Sequence, residues 1–202
     1  MSQAKSSSKP IWVVGDSHAG FYENFDYCNN WNAGAFLAYK LIEKPEFARA
    51  IRTMAPVGVI LLFVFGEIDC RVHLKTHNNV DEVAKRYLQF VQQFKDDYSL
   101  AVIGPVASTR MDSPRITSIE FPIVGSCFER NAITRELTTK IRKECEGHNV
   151  FFDSILEQLI DEHGLTKAEY YAEDKVHLSN KAVPLVEPVL QELLNANDSS
   201  AT

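Results

Sequence analysis

Cysteine is scarce in this chain of 202 residues, which contains only four, all far apart. No two of them form the Cys-x-x-Cys pair that structural zinc sites use, and so few thiols in a chain of this length do not build a disulfide framework. We therefore predict that Cys28, Cys70, Cys127 and Cys145 are reduced thiols in or near the core of an intracellular protein.

The chain also lacks a long apolar run and an excess of basic residues. The longest apolar run, Val57 to Phe65, suits a buried strand and is too short for a membrane span. The first ten residues contain no apolar segment typical of a secretory signal. We therefore predict no membrane span and a cytoplasmic location. The net charge of -6 argues against nucleic acid or an anionic membrane surface as a partner, because like charges repel.

What is present is the composition of one globular domain. Hydrophobic residues make up 45% of the chain and charged residues 24%, which are ordinary values. The length suffices to bury a sheet on both faces. Because both ends are small and polar, we predict flexible tails over residues 1–10 and 195–202 around a single domain over residues 11–194.

Short apolar runs alternate with helical patterns along the chain. The alternation predicts an α/β domain whose parallel sheet is covered on both faces. A long stretch without periodicity, residues 106–127, predicts a loop. The predicted strands are 11–14, 27–32 (the most ambiguous), 58–65, 100–103 and 150–152, and the predicted helices are 17–24, 35–54, 81–98, 133–147 and 179–194.

Polar segments directly follow the apolar runs, where parallel sheets place their ligand sites. A serine at a strand-to-helix turn, as in Gly15-Asp16-Ser17, is suited to be a nucleophile beside a backbone N–H that binds a developing oxyanion. The same tripeptide also fits a helix cap. Asp174, three residues before His177, is suited to hold an imidazole that accepts the serine proton. The alternative is a chance Asp and His on a surface loop.

The order of these segments resembles a known family. Gly15–Ser17 after the first strand, Gly34 after the second, Gly66–Asp69 after the third and Asp174–His177 before the last helix resemble the four sequence blocks of SGNH (GDSL) hydrolases, over about residues 11–194. The resemblance implies a flavodoxin-like, three-layer α/β/α sandwich with a five-stranded parallel sheet. It implies hydrolysis or transfer of acyl groups on lipids, sugars or small esters, and no cofactor.

The resemblance also implies roles for individual residues. Ser17 is the expected nucleophile, His177 the base and Asp174 the residue that orients this base. The backbone N–H groups of Ser17 and Gly34 are the expected oxyanion donors, although a turn or a helix start explains Gly34 equally well.

The third block departs from the family, which has an oxyanion-binding Asn where this chain has Ile68. The loss of one such donor typically costs about 10²–10³ in rate. Arg71 is our candidate substitute, either for the oxyanion or for an anionic group of the substrate. A structural salt bridge to a nearby carboxylate, such as Glu67, is an equal alternative. Gly66 and Glu67 are expected near the site, and the version Gly66-Glu-Ile-Asp-Cys-Arg71 resembles a subfamily of these hydrolases.

The sequence is compatible with several alternatives. Asp69, His73 and His77 have the spacing of metal ligands on a helix, but no second cluster supports them, so we predict no metal. Hydrolysis of a small-molecule ester is the favoured function, with acyl transfer by the same residues as one alternative. The other is a binding module without turnover, which Ile68 motivates. The substrate and the oligomeric state do not follow from the sequence.

Overall fold

One parallel sheet organises the chain in the computed structural model, which describes residues 10–77, 79–111 and 123–200. The sheet has five strands in the order β2-β1-β3-β4-β5. These strands are β1 Ile11–Gly15, β2 Cys28–Asn32, β3 Ile60–Val64, β4 Ser99–Ile103 and β5 Phe151–Asp153. All five predicted strands are confirmed, including the ambiguous second one, with ends that shift by one or two residues.

Helices connect the strands. The α-helices are α1 Pro45–Met54, α2 Leu74–His77, α3 Val80–Val91, α4 Cys127–Gly147, α5 Leu156–Leu159 and α6 Val183–Ser200. Shorter helical segments are the 3-10 turns Ser17–Asn24, Ala38–Glu43, Gln92–Phe94, Ala168–Tyr170 and Asn180–Ala182, and a π-helical turn at Asp69–His73.

Two hydrophobic clusters cover the two faces of the sheet. Successive side chains of a strand point to opposite faces, and β3 follows this rule. Leu61 and Phe63 pack with α1, α3 and α4 on one face. Leu62 and Val64 pack with α6 and the 17–24 turn on the other. The predicted three-layer α/β/α sandwich is therefore confirmed.

Several helix boundaries differ from the prediction, and the α-helix predicted over 81–98 ends at Val91. The predicted helix 35–54 is split, since Pro45 begins α1 after a separate 3-10 turn and proline disfavours helical backbone in the residue before it. Helix α4 starts at Cys127, inside the predicted loop, because Ser126 and Glu129 form a capping box. Helix α6 runs to Ser200, so residues 195–200, predicted as a tail, continue the helix.

Parts of the predicted loop and tails lie outside the described residues, namely 1–9, 112–122 and 201–202. The described parts of the loop, 106–111 and 123–126, contain no helix or strand. Among the described helices, none is long and apolar enough to cross a membrane.

The close approach of β1 and β3 determines where the candidate site forms. A Cβ atom at Gly15 would lie 2.5 Å from the carbonyl oxygen of Val64, so only glycine fits at this strand end. Gly66 has a φ of +114°, and a Cβ there would lie 2.9 Å from Cγ of Pro105. Both positions need glycine because the backbone and its neighbours leave no room for a side chain.

Candidate active site

Ser17, His177 and Asp174 form a continuous hydrogen-bonded line at the carboxyl end of the sheet. Oγ of Ser17 lies 2.7 Å from Nε2 of His177, although 160 positions separate the two residues. Nδ1 of His177 lies 2.6 Å from Oδ2 of Asp174. The structure thus brings the three predicted residues together with the spacing that a nucleophile, a base and an orienting carboxylate require.

The local sequence explains how Ser17 is presented. Asp16, directly after β1, caps the 17–24 turn by accepting a hydrogen bond from the backbone N–H of His18 at 2.9 Å. Within Gly15-Asp16-Ser17, Asp16 is thus the residue that caps the turn. Ser17 is the first residue of the turn, and no described group accepts a hydrogen bond from its backbone N–H. The hydroxyl of Ser17 is left to contact His177.

Asp174 also shapes the turn that carries His177. Its Oδ1 accepts hydrogen bonds from the backbone N–H groups of Val176 at 2.9 Å and His177 at 3.0 Å. Lys175 takes a φ of 60° within this turn. Partial burial favours the neutral acid, but the hydrogen bonds from the His177 ring and from the two backbone N–H groups outweigh it and lower the pKa of Asp174. Asp174 is therefore a carboxylate at neutral pH.

A second histidine lies beneath the first. His18 is 4% exposed, and its ring centroid is 5.0 Å from that of His177. Its Nδ1 lies 3.0 Å from Oδ1 of Asp16, and its Nε2 lies 3.1 Å from the carbonyl oxygen of Val176. His18 is not placed to act as the base, because both ring nitrogens face acceptors other than Ser17.

A cavity of about 400 Å³ opens beside Ser17 and His177. Most of the residues that line it are polar, and the others are one glycine and two apolar residues. Besides Ser17 and His177, the lining residues are His18, Gly20, Phe21, Asn24, Asn32, Leu178 and Asn180. The three asparagine amides can donate and accept hydrogen bonds, so this cavity suits a small polar ligand.

The predicted oxyanion and substrate residues outside the triad do not line this cavity. The backbone N–H of Gly34 donates to Oδ1 of Asn32 at 2.7 Å, which makes Gly34 part of a turn. Nε of Arg71 donates to both carboxylate oxygens of Glu67, at 2.9 and 3.1 Å. Arg71 is only 8% exposed and Glu67 only 3%. The salt-bridge alternative is thus the arrangement observed. Gly66 lies at the buried end of β3 beneath Pro105.

Asp69 has a structural role that the sequence did not indicate. It is fully buried, and its carboxylate accepts hydrogen bonds from the backbone N–H groups of Ala38 at 2.7 Å and Tyr39 at 3.1 Å. Burial raises the pKa of Asp69 to about 7, against the opposing effect of these bonds. Asp69 therefore ties the third block to the segment after β2 by capping the 38–43 turn.

Arg130, in helix α4, holds the described parts of the 106–127 loop. It is fully buried. It donates to Oγ of Ser108 at 3.0 Å and to the carbonyl oxygens of Thr109 at 2.6 Å, Met111 at 2.7 Å and Gly125. One guanidinium thus fixes both described ends of the 106–127 loop to helix α4.

The fold is shared with solved structures of esterases and lipases. A GDSL-like lipase from Bacteroides thetaiotaomicron superposes with a TM-score of 0.62 at 12% identity, covering 99% of this chain and 93% of that one. A carbohydrate acetylesterase from Sinorhizobium meliloti gives 0.60 at 13% identity, covering 92% and 98%. An acetylxylan esterase from Geobacillus stearothermophilus gives 0.60 at 13% identity, covering 90% and 92%. The chain therefore has the fold that the resemblance to SGNH hydrolases implies.

Comparison at the level of sequence alone finds no relative. No family model matches the chain, and no curated protein matches it.

Proposed function

We propose that this protein is a serine hydrolase that cleaves an ester of a small molecule, with Ser17 as nucleophile, His177 as general base and Asp174 as the residue that orients the base. The hydrogen bond of 2.7 Å between Oγ of Ser17 and Nε2 of His177 carries the proposal. The contact between Nδ1 of His177 and Asp174 supports it, because it leaves Nε2 unprotonated and able to accept the serine proton.

Each step of the reaction follows from this geometry. Oγ of Ser17 attacks the ester carbonyl carbon while its proton passes to Nε2 of His177. The tetrahedral intermediate then collapses, the bond to the alcohol breaks, and His177 returns the proton to the leaving oxygen. Water repeats the sequence on the acyl-enzyme, which releases the acid and restores Ser17. An alcohol in place of this water would give acyl transfer by the same residues.

The substrate class is inferred from the cavity and from the solved structures that share the fold. The cavity is small and lined by asparagines, which suits a short acyl group on a polar alcohol. The similar structures include a carbohydrate acetylesterase and an acetylxylan esterase. We therefore propose an acetyl or other short acyl ester of a sugar or a similarly polar molecule.

An acyl-enzyme is the intermediate that tests this function. Wild type mixed with p-nitrophenyl acetate is expected to release a burst of p-nitrophenol, followed by a slower steady rate, because we expect this activated ester to acylate Ser17 faster than water removes the acetyl group. Peptide mapping of the acid-quenched enzyme is expected to find one acetyl group, on Ser17. An acetyl group on another residue would rule out Ser17 as the nucleophile, and folded protein that neither carries an acetyl group nor releases p-nitrophenol would contradict the proposed hydrolysis.

The oxyanion needs a donor besides the backbone N–H of Ser17, and we assign Asn32 to this role. Asn32 ends β2, and the residue paired with it in β1 is Gly15, two positions before Ser17. Its Oδ1 is occupied by the N–H of Gly34, so the amide Nδ2 is the end left to donate. Among the described residues, none accepts a hydrogen bond from this Nδ2.

The position of Gly20 supports this orientation of the amide. In a 3-10 helix, residues three apart lie on the same side, so Gly20 is on the Ser17 side of the 17–24 turn. Nδ2 of Asn32 lies 4.0 Å from the place that a Cβ at Gly20 would occupy. The glycine leaves the space between the amide and Ser17 open, and all three residues line the same cavity.

The Asn32→Asp variant tests the role of Asn32 as a donor without removing its hydrogen bond to the turn at Gly34. The aspartate oxygen still accepts the N–H of Gly34, but it donates nothing to an oxyanion. We expect kcat for ester hydrolysis to fall by about 10²–10³, with little change in Tm. Asn180→Asp introduces the same charge into the same cavity and is the control. An equal loss in both variants would show a general charge effect and contradict the role of Asn32.

A further inference from the structure

His18 makes contacts that a neutral histidine does not satisfy. A backbone carbonyl only accepts hydrogen bonds, so the contact of 3.1 Å with Val176 places a proton on Nε2. If that were the only ring proton, the lone pair of Nδ1 would face Oδ1 of Asp16 at 3.0 Å, which is repulsive. Two protons satisfy both contacts. The geometry therefore favours a buried imidazolium.

The surrounding charges favour the same protonation state. The acidic groups near His18 are the carboxylates of Asp16, in direct contact, and of Glu67, whose field also acts on the ring. Glu67 is in turn paired with Arg71. The carboxylates of Asp16 and Glu67 and the guanidinium of Arg71 together carry one negative charge, which a protonated His18 balances. The buried carboxyl group of Asp69 also interacts with Asp16, so the surroundings of His18 are acidic. The ring of His177 lies above at 5.0 Å.

These contacts connect the two parts of the proposed triad. Asp16 and His18 flank Ser17 in the chain, and Val176 directly precedes His177. The bond from His18 to Val176 spans 158 positions and is partly buried. We propose that His18 is a positioning residue that ties the loop carrying His177 to the segment carrying Ser17, an inference that rests on the proposed function.

The proposal implies a characteristic pH dependence. Burial lowers the pKa of His18, but the hydrogen bond to Asp16 and the fields of Asp16 and Glu67 outweigh it and raise this pKa to about 9. Because the folded value lies above the value of about 6.5 for an unfolded histidine, the stabilising tie is complete below pH 6.5 and is lost as the pH rises through about 9. Hydrolysis should therefore decline above this pH while the fold persists.

Two substitutions separate the two contacts of the ring. His18→Asn retains a donor near the place of Nδ1, toward Asp16, and loses the reach to Val176. His18→Gln retains a donor near the place of Nε2, toward Val176, without a titratable charge. We expect kcat/KM to fall about 10²-fold in His18→Asn, the cost of a displaced catalytic group. The loss in His18→Gln should be smaller, and its decline above pH 9 should disappear. His163→Asn, at a side chain that is 76% exposed, is the control.

Nuclear magnetic resonance of the histidine rings keeps this test independent of catalysis. In wild type at neutral pH, both ring nitrogens of His18 are expected to carry protons, and the Nδ1 proton of His177 is expected to show a strong hydrogen bond. The His177 signal should weaken in His18→Asn and persist in His18→Gln. An unchanged His177 signal in His18→Asn, or a neutral His18 in wild type, would overturn the proposal. If the ring signals are as expected but the acyl-enzyme test fails, the proposed hydrolysis is refuted. The hydrogen bond from His18 to Val176 would still hold the two segments together.

Discussion

Asp174→Asn is expected to lower kcat for ester hydrolysis by about 10⁴ while the fold is retained. The asparagine oxygen can keep the two backbone hydrogen bonds from Val176 and His177 that Oδ1 of Asp174 accepts. The amide NH₂ then faces Nδ1 of His177 in place of a carboxylate oxygen. Because the amide donates there, the ring proton moves to Nε2, which then points at Ser17 and cannot accept its proton.

The control is the same substitution at Asp161, whose carboxylate stabilises a similar turn outside the candidate site. Oδ1 of Asp161 accepts the backbone N–H groups of His163 and Leu165, both at 2.9 Å. Asp161→Asn should leave kcat unchanged, and steady-state kinetics with far-ultraviolet circular dichroism distinguishes the two variants. An Asp174→Asn enzyme with nearly wild-type kcat would show that this carboxylate does not orient the base.

Arg130→Leu is expected to lower the free energy of unfolding by about 3–5 kcal/mol, the largest effect on stability that we predict. The substitution removes every guanidinium bond and leaves the buried oxygens of Ser108 and Thr109 without this donor. An unpaired buried polar group costs about 1–3 kcal/mol, and several are created together. Urea unfolding followed by circular dichroism measures the change.

A second arginine of α4 provides the comparison. Arg135 is 43% exposed and makes two hydrogen bonds to Glu157, which is 67% exposed. Exposed pairs of this kind contribute about 0–1 kcal/mol, so Arg135→Leu should change stability little. If the two variants lost equal stability, the contacts of Arg130 with the 106–127 loop would not be the cause.

The sheet and the proximity of Ser17, His177 and Asp174 could be predicted from the sequence, because each segment involved has a recognisable local pattern. The apolar run of β3 and the short polar segments after the strands are visible without any structure. In a parallel sheet, those segments meet at one edge. The ambiguity of β2 also has a physical reason, since a strand at the edge of the sheet, here Cys28–Asn32 with three asparagines, does not need a continuous apolar sequence.

The roles of Arg130 and His18 could not be predicted from the sequence, because they depend on partners that are distant in the chain. Arg130 is charged and lies on a helix, which usually indicates an exposed side chain, but three of its acceptors lie in a loop about twenty positions away. His18 adjoins Ser17, and its second partner, Val176, is 158 positions away. Two signals were available, however. Glu67 and Arg71 have the i, i+4 spacing of a helical ion pair, and Asn32-x-Gly34 is typical of a turn in which the side chain accepts a backbone N–H.

The nucleophilic role of Ser17 is tested most directly by intact-mass analysis after reaction with a fluorophosphonate probe, on wild type and on Ser17→Ala. We expect one adduct on wild type, because His177 activates Ser17 and the oxyanion-binding groups stabilise the product. We expect no adduct on Ser17→Ala. Folded wild type without an adduct would contradict the proposed function and favour a binding module that retains the fold without turnover. An adduct that persists in Ser17→Ala would show that another residue is the nucleophile.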